Sequence, residues 1–109
     1  MPRMSVRGGS RMKPVPERIS RDSRPRLAAK ARLRYDRKGE RYMLLYPERG
    51  LALNATAADI VRLCTGEHTV EVIVDRLAAK YGQEVPTIEL QVIDLLVALA
   101  ERGLVREAS

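Results

Sequence analysis

A chain of 109 residues has room for one domain, and its 45% apolar composition supports a modest core built without Trp or Phe. The formal charge of +6 would suit a nucleic-acid partner, but residues 1–26 hold eight basic and two acidic side chains and so carry all of it. One cysteine excludes an internal disulfide and a cysteine metal cluster, and no apolar stretch nears the ~20 residues that a membrane span needs.

Residues 1–26 are rich in Pro, Ser and Gly, with only scattered apolar side chains. Such a segment buries too little surface to offset its ordering entropy, so it is expected to be a disordered basic tail or linker. Gly8-Gly9-Ser10 has the composition of a fusion joint. No apolar segment follows the basic start, which argues against a secretory signal and for a soluble, cytoplasmic protein. Residues 27–109 hold twelve basic and twelve acidic side chains and form the expected folded domain.

Ala31-Arg32-Leu33-Arg34-Tyr35 alternates apolar and basic, the period of a half-buried strand. Asp36-Arg37-Lys38-Gly39 reads as a type I turn ending in a left-handed Gly. Tyr42-Met43-Leu44-Leu45-Tyr46 is apolar on both sides, as a central strand should be. Pro47-Glu48-Arg49-Gly50 is a second turn, and Leu51-Ala52-Leu53-Asn54 a short third strand. The three make an antiparallel meander.

The period then becomes helical. Thr56 and Asp59 resemble a capping box, opening a helix through Ile60, Val61, Leu63 and Cys64 that stops at Gly66. Thr69 caps a second helix with Val70, Ile73, Val74, Leu77 and Tyr81 in one stripe, stopped by Gly82. Pro86-Thr87 opens a third helix that runs to about Arg102, and Leu104-Val105 adds an extended end. The expected fold class is α+β and winged-helix-like, a three-stranded antiparallel β-meander followed by three α-helices. On the third helix Ile88, Val92, Leu95, Leu96 and Leu99 form one apolar face, and Leu90, Ile93 and Val97 a second. Two stripes imply two packing partners, both internal or one of them a groove or a second subunit.

Catalytic and metal chemistry find no purchase. His68 stands alone without ligands at metal spacing, and no Ser or Cys is arranged with a base. Cys64, inside the apolar run of the first helix, reads as a small buried hydrophobe. Gly8-Gly9 precedes no strand and opens no helix, so there is no phosphate loop. Glu71 and Asp75 read as a solvated helix face. Catalysis by this chain alone is not expected. A winged-helix DNA-binding transcription regulator is the alternative, because the second and third helices suit a helix-turn-helix. The third helix, however, sets Glu89, Asp94 and Glu101 against Arg102 alone, and that balance repels DNA. Arg37, Lys38 and Arg41 on the hairpin leave only a weak contact open.

Several segments at these distances resemble the PqqD family. They are Arg32-Leu33-Arg34-Tyr35-Asp36, Leu44-Leu45-Tyr46-Pro47-Glu48-Arg49, Leu53-Asn54, Ile60-Val61-Arg62-Leu63-Cys64 with Gly66, and Thr69-Val70-Glu71-Val72-Ile73. The end of the chain, from Leu96 to Val105, is similar as well. Thr65 and Gln91 depart from the pattern, which favours Asp at both places. The resemblance implies a non-catalytic peptide chaperone that binds the ribosomal precursor peptide PqqA and presents it to the radical-SAM enzyme PqqE in pyrroloquinoline quinone biosynthesis. It implies no cofactor on this chain, since the iron–sulfur cluster and S-adenosylmethionine belong to the enzyme. Fusion to or association with PqqC would make a basic N-terminal linker natural.

An edge strand without Pro or Lys offers unpaired N–H and C=O groups to an added peptide strand. The expected peptide groove therefore lies between Leu51, Ala52, Leu53 and Asn54 on the third strand and Leu90, Ile93, Asp94 and Val97 on the third helix.

Overall fold

The computed structural model describes residues 19–108. Its elements in chain order are β1 (Pro25–Leu27), β2 (Arg32–Asp36), β3 (Arg41–Tyr46), β4 (Arg49–Leu53), α1 (Ala55–Arg62), α2 (Val70–Tyr81), α3 (Val85–Glu101) and β5 (Val105–Glu107). The expected meander is β2-β3-β4, antiparallel with β3 central, and the expected helices follow it. Even-numbered side chains of β3 share one face with Leu33 and Leu51, and that face carries Leu44, which is wholly buried. Leu44 and Leu53 meet Ile60, Ile73, Ile88, Val92, Leu96 and Leu99 from the helices in one cluster. Each fully buried aliphatic side chain of this kind contributes about 1.5–3 kcal/mol.

Both hairpin turns place a glutamate in the left-handed region. Glu40 has φ 52° and Glu48 φ 64°, so the left-handed residue of the first turn is Glu40 and not Gly39. A Cβ on Gly39 would lie 2.7 Å from Asp36 Oδ2, so a larger residue there requires that side chain to shift. The start of α1 also differs from the capping box expected at Thr56 and Asp59. The cap is Asn54, whose Oδ1 accepts from the Ala57 N–H at 2.8 Å. Thr69 caps α2 and Gly82, at φ 62°, ends it, as the pattern predicts. The third helix begins one residue earlier than Pro86, at Val85.

The boundary expected at residue 27 lies too late. Pro25–Leu27 pairs antiparallel with Val105–Glu107 in a separate two-stranded sheet, so the extended end expected at Leu104-Val105 is a paired strand from Val105 on. The Ser23 carbonyl accepts from the Val70 N–H at 2.8 Å, the Pro25 carbonyl from Gly66 at 2.9 Å, and Leu27 N–H donates to the Cys64 carbonyl at 2.9 Å. Arg21 Nε reaches Glu89 on α3 at 3.0 Å. Residues 20–26 are held by backbone hydrogen bonds that composition does not reveal. The remainder of the expected tail, residues 1–18, lies outside the described residues.

Candidate functional site

The two turns fix which backbone groups of the meander are free. A two-residue connection closes on a hydrogen-bonded pair, here Tyr46 and Arg49, and bonded pairs then alternate down the ladder. Leu44 with Leu51 and Tyr42 with Leu53 are thus bonded pairs, whereas Gly50 and Ala52 turn their N–H and C=O groups to the open side of β4. The first hairpin, counted from its closing pair Asp36 and Arg41, gives bonds at Arg41, Met43 and Leu45, the complementary set on β3. It also makes Tyr35 and Tyr42 a non-bonded pair, in which side chains approach closely. Their rings do meet edge to face, with centroids 5.0 Å apart. By the same count the free groups on the other edge, β2, belong to Leu33 and Tyr35.

The two edges differ in what surrounds them. Arg32 and Arg34 flank the free groups of β2, and such charges blunt an edge. On β4 the free groups sit at a glycine and an exposed alanine. Of the residues expected on this strand, Leu51 is half-buried and Leu53 is only 7% exposed, so their side chains serve the core. Asn54 holds the N-terminus of α1. Gly50 is the edge residue that sequence reasoning missed, having been assigned to a turn.

On α3 Leu90 is the most exposed of the large apolar side chains, at 67%. Ile93 is half-buried against the core cluster, while Val97 is half-buried outside it and Asp94 is exposed. The second apolar stripe therefore divides, with Leu90 and Val97 outermost. A cavity of about 200 Å³ opens elsewhere, between Ile19, Pro25, Leu96 and Val105.

Behind β4 sits a polar cluster unforeseen in the sequence. The buried Asp59 accepts from Lys80 Nζ at 2.7 Å and Tyr81 Oη at 2.6 Å through one oxygen, and from an Arg62 guanidinium nitrogen at 2.7 Å through the other. Burial alone would raise its carboxyl pKa, but the hydrogen bonds from Lys80 and Tyr81 and the charges of Lys80 and Arg62 outweigh burial and hold it below the usual carboxylate range. The Arg62 guanidinium also lies 4.9 Å from the centre of the Tyr42 ring, and Tyr42 is the ladder partner of Leu53. The cluster thus ties α1 and α2 to the strand beside the open edge. The sequence signal was an acidic residue within the apolar run Asp59-Ile60-Val61.

Among the described residues no group of three His, Cys, Asp or Glu side chains is placed to hold a metal ion. No described helix is long and apolar enough to cross a membrane.

The profile of the family described as "Coenzyme PQQ synthesis protein D (PqqD)" matches residues 41–105. A relative called PqqA binding protein, from Rhodopseudomonas palustris strain BisB5, is 40% identical over 90 residues, covering 83% of this chain and 88% of that protein. The chain belongs to the PqqD family. The solution structure of the PqqD part of Methylobacterium extorquens PqqCD, described as a stand-alone recognition element for ribosomally synthesised and modified peptides, superposes with a TM-score of 0.75 at 30% identity. That match covers 84% of this chain and 98% of the other. TbiB1 in complex with the TbiA(beta) leader peptide gives a TM-score of 0.62 at 26% identity, over 73% and 93% of the two chains. The PqqD match runs from the start of β3 to the first residue of β5, so the β4 edge and α3 both fall within it.

Proposed function

We propose that this chain is a non-catalytic peptide chaperone, binding a PqqA-type precursor peptide as an added strand on β4 and presenting it to the radical-SAM enzyme PqqE. The observation that carries the reading is the free edge of β4, where Gly50 and Ala52 offer backbone donors and acceptors and the one charged side chain of the strand, Arg49, stands at its turn end. Leu90, the most exposed large apolar side chain of α3, and the half-buried Val97 supply docking for peptide side chains, with Asp94 between them as the polar contact. The relatives named for PqqA binding and the fold shared with a leader-peptide complex support the same role. The protein works in the cytoplasm, alone or joined to PqqC, and needs no cofactor of its own.

Amide-shift titration with the PqqA-type peptide tests this. The largest shifts are expected at residues 50–54 and 90–97. Shifts confined to the β2 edge, at Leu33 and Tyr35, would place the peptide on the wrong side of the meander, and an unchanged spectrum would remove the function altogether.

A further inference from the structure

The meander has a second face, turned away from the helices. By register it carries Arg32, Arg34 and Asp36 from β2, Arg41, Met43 and Leu45 from β3, and Gly50 and Ala52 from β4. Met43 and Leu45 are half-buried there, although no described helix covers this side of the sheet. They reach across onto β4, where a Cβ on Gly50 would lie 3.1 Å from Met43 Cε and 3.3 Å from Leu45 Cδ2. The glycine thus provides the surface on which the two side chains rest. A shallow depression runs from this pair to Arg34 and the hairpin cations Arg37 and Lys38.

The charges around this apolar centre are mostly positive. No ion pair engages Arg32, Arg34, Arg37 or Arg41 among the described residues. Asp36, the one acid on this face, accepts from the Lys38 backbone N–H at 3.1 Å. An apolar centre of methionine and leucine with an arginine rim has the make-up of a protein interface, in which Met and Arg are enriched. Nucleic acid would gain little from aliphatic side chains at the centre of its footprint, and the aromatic ring that lines the depression, Tyr35, is already engaged edge to face with Tyr42.

We propose that this outer face of the meander is the docking surface for the peptide-modifying enzyme, which meets it with an apolar patch rimmed by Asp and Glu. The inference rests on the reading of β4 as the edge that takes the peptide. A strand added there continues the sheet, and alternate side chains of the peptide emerge on this same outer face, next to Gly50 and Ala52. Those two residues add no bulk between the docked enzyme and the peptide. Capture and presentation then use adjoining surfaces of one sheet, with the core side of the sheet left undisturbed.

The test uses the full chain, the PqqA-type peptide and the radical-SAM enzyme, with each affinity measured separately. Arg32→Glu/Arg34→Glu and Leu45→Glu are each expected to weaken enzyme binding about tenfold or more while leaving peptide affinity within about twofold. Enzyme binding by the parent chain should also fall as salt rises from about 0.05 to 0.5 M. Should Leu45→Glu lower the melting temperature, the double arginine variant decides alone, since its side chains leave the sheet into solvent. Enzyme affinity unchanged in that variant overturns the proposal, as does a loss confined to binding of duplex DNA. A parent chain that binds the enzyme but not the peptide would sink the peptide reading and leave the docking face to stand on its own result.

Discussion

Asp59 shows how one buried carboxylate sets a pH dependence. Its pKa is lower in the fold than in the unfolded chain, so its contribution is full above the usual Asp range near ~3.9 and disappears as pH falls through the depressed folded value. Asp59→Asn keeps the shape but removes the charge, leaving Lys80 and Arg62 without their common counter-ion. At pH 7 it should cost about 1–3 kcal/mol of unfolding free energy, and the gap to the parent should close as the pH is taken toward 2. Urea melts at several pH values measure this, and a gap that stays constant with pH would show that the charge is irrelevant. Cys64 gives a second expectation. Burial pushes its thiol up to about 12, and Sγ donates to the Ile60 carbonyl at 3.2 Å. A thiol-specific reagent should therefore label the native protein very slowly at pH 8 and the urea-unfolded protein at once, and equal rates would mean that α1 opens freely.

Among the elements, β4 separates two jobs by parity. The Ala52 N–H faces outward and the Leu53 N–H faces β3, so proline at the two positions should have opposite effects. Ala52→Pro is expected to keep the circular dichroism of the parent and to weaken peptide binding about tenfold, the worth of roughly one backbone hydrogen bond. Leu53→Pro removes a ladder bond and a side chain only 7% exposed, and should destabilise the fold by about 3 kcal/mol or more. The opposite pattern would shift the register by one residue. Sequence periodicity made the three strands of the meander and the three helices legible, because each has a stripe of side chains that must reach the core. Parity was not legible, since it depends on where the turns close, and the left-handed residues proved to be Glu40 and Glu48. The first strand was invisible for another reason. Pro25-Arg26-Leu27 is too short to show a period, and its partner Val105–Glu107 lies at the far end of the chain. The helix side of the candidate site was partly readable. The second stripe on α3 was evident, but nothing in its spacing told that Ile93 turns toward the core while Leu90 stays out.

At the scale of the whole molecule the question is where the folded unit starts. Charge and composition drew the line after residue 26, but residues 20–26 already bond to the rest of the described fold. Residues 20–27 are bonded to the α1–α2 connection and the start of α2 through Ser23, Pro25 and Leu27, and to β5 through Pro25–Leu27. Arg21 adds an exposed ion pair to Glu89, which counts for little beside those backbone bonds. Each buried backbone hydrogen bond is worth about 0.5–1.5 kcal/mol, and losing several together also strips the cover from Val105 and Leu104. A chain beginning at residue 19 should match the full chain in melting temperature and in peptide affinity, because the segment it lacks has too few apolar residues to pack. A chain beginning at residue 28 should melt lower by more than about 5 °C, as a loss of 1–2 kcal/mol does in a domain of this size. Its peptide affinity, measured well below that melting point, should hold to within about threefold, since β4 belongs to a different sheet from β1. Equal melting temperatures for the two truncations would show that β1 contributes nothing. A fall in affinity on removing residues 1–18 would give the basic segment a part in capturing the peptide.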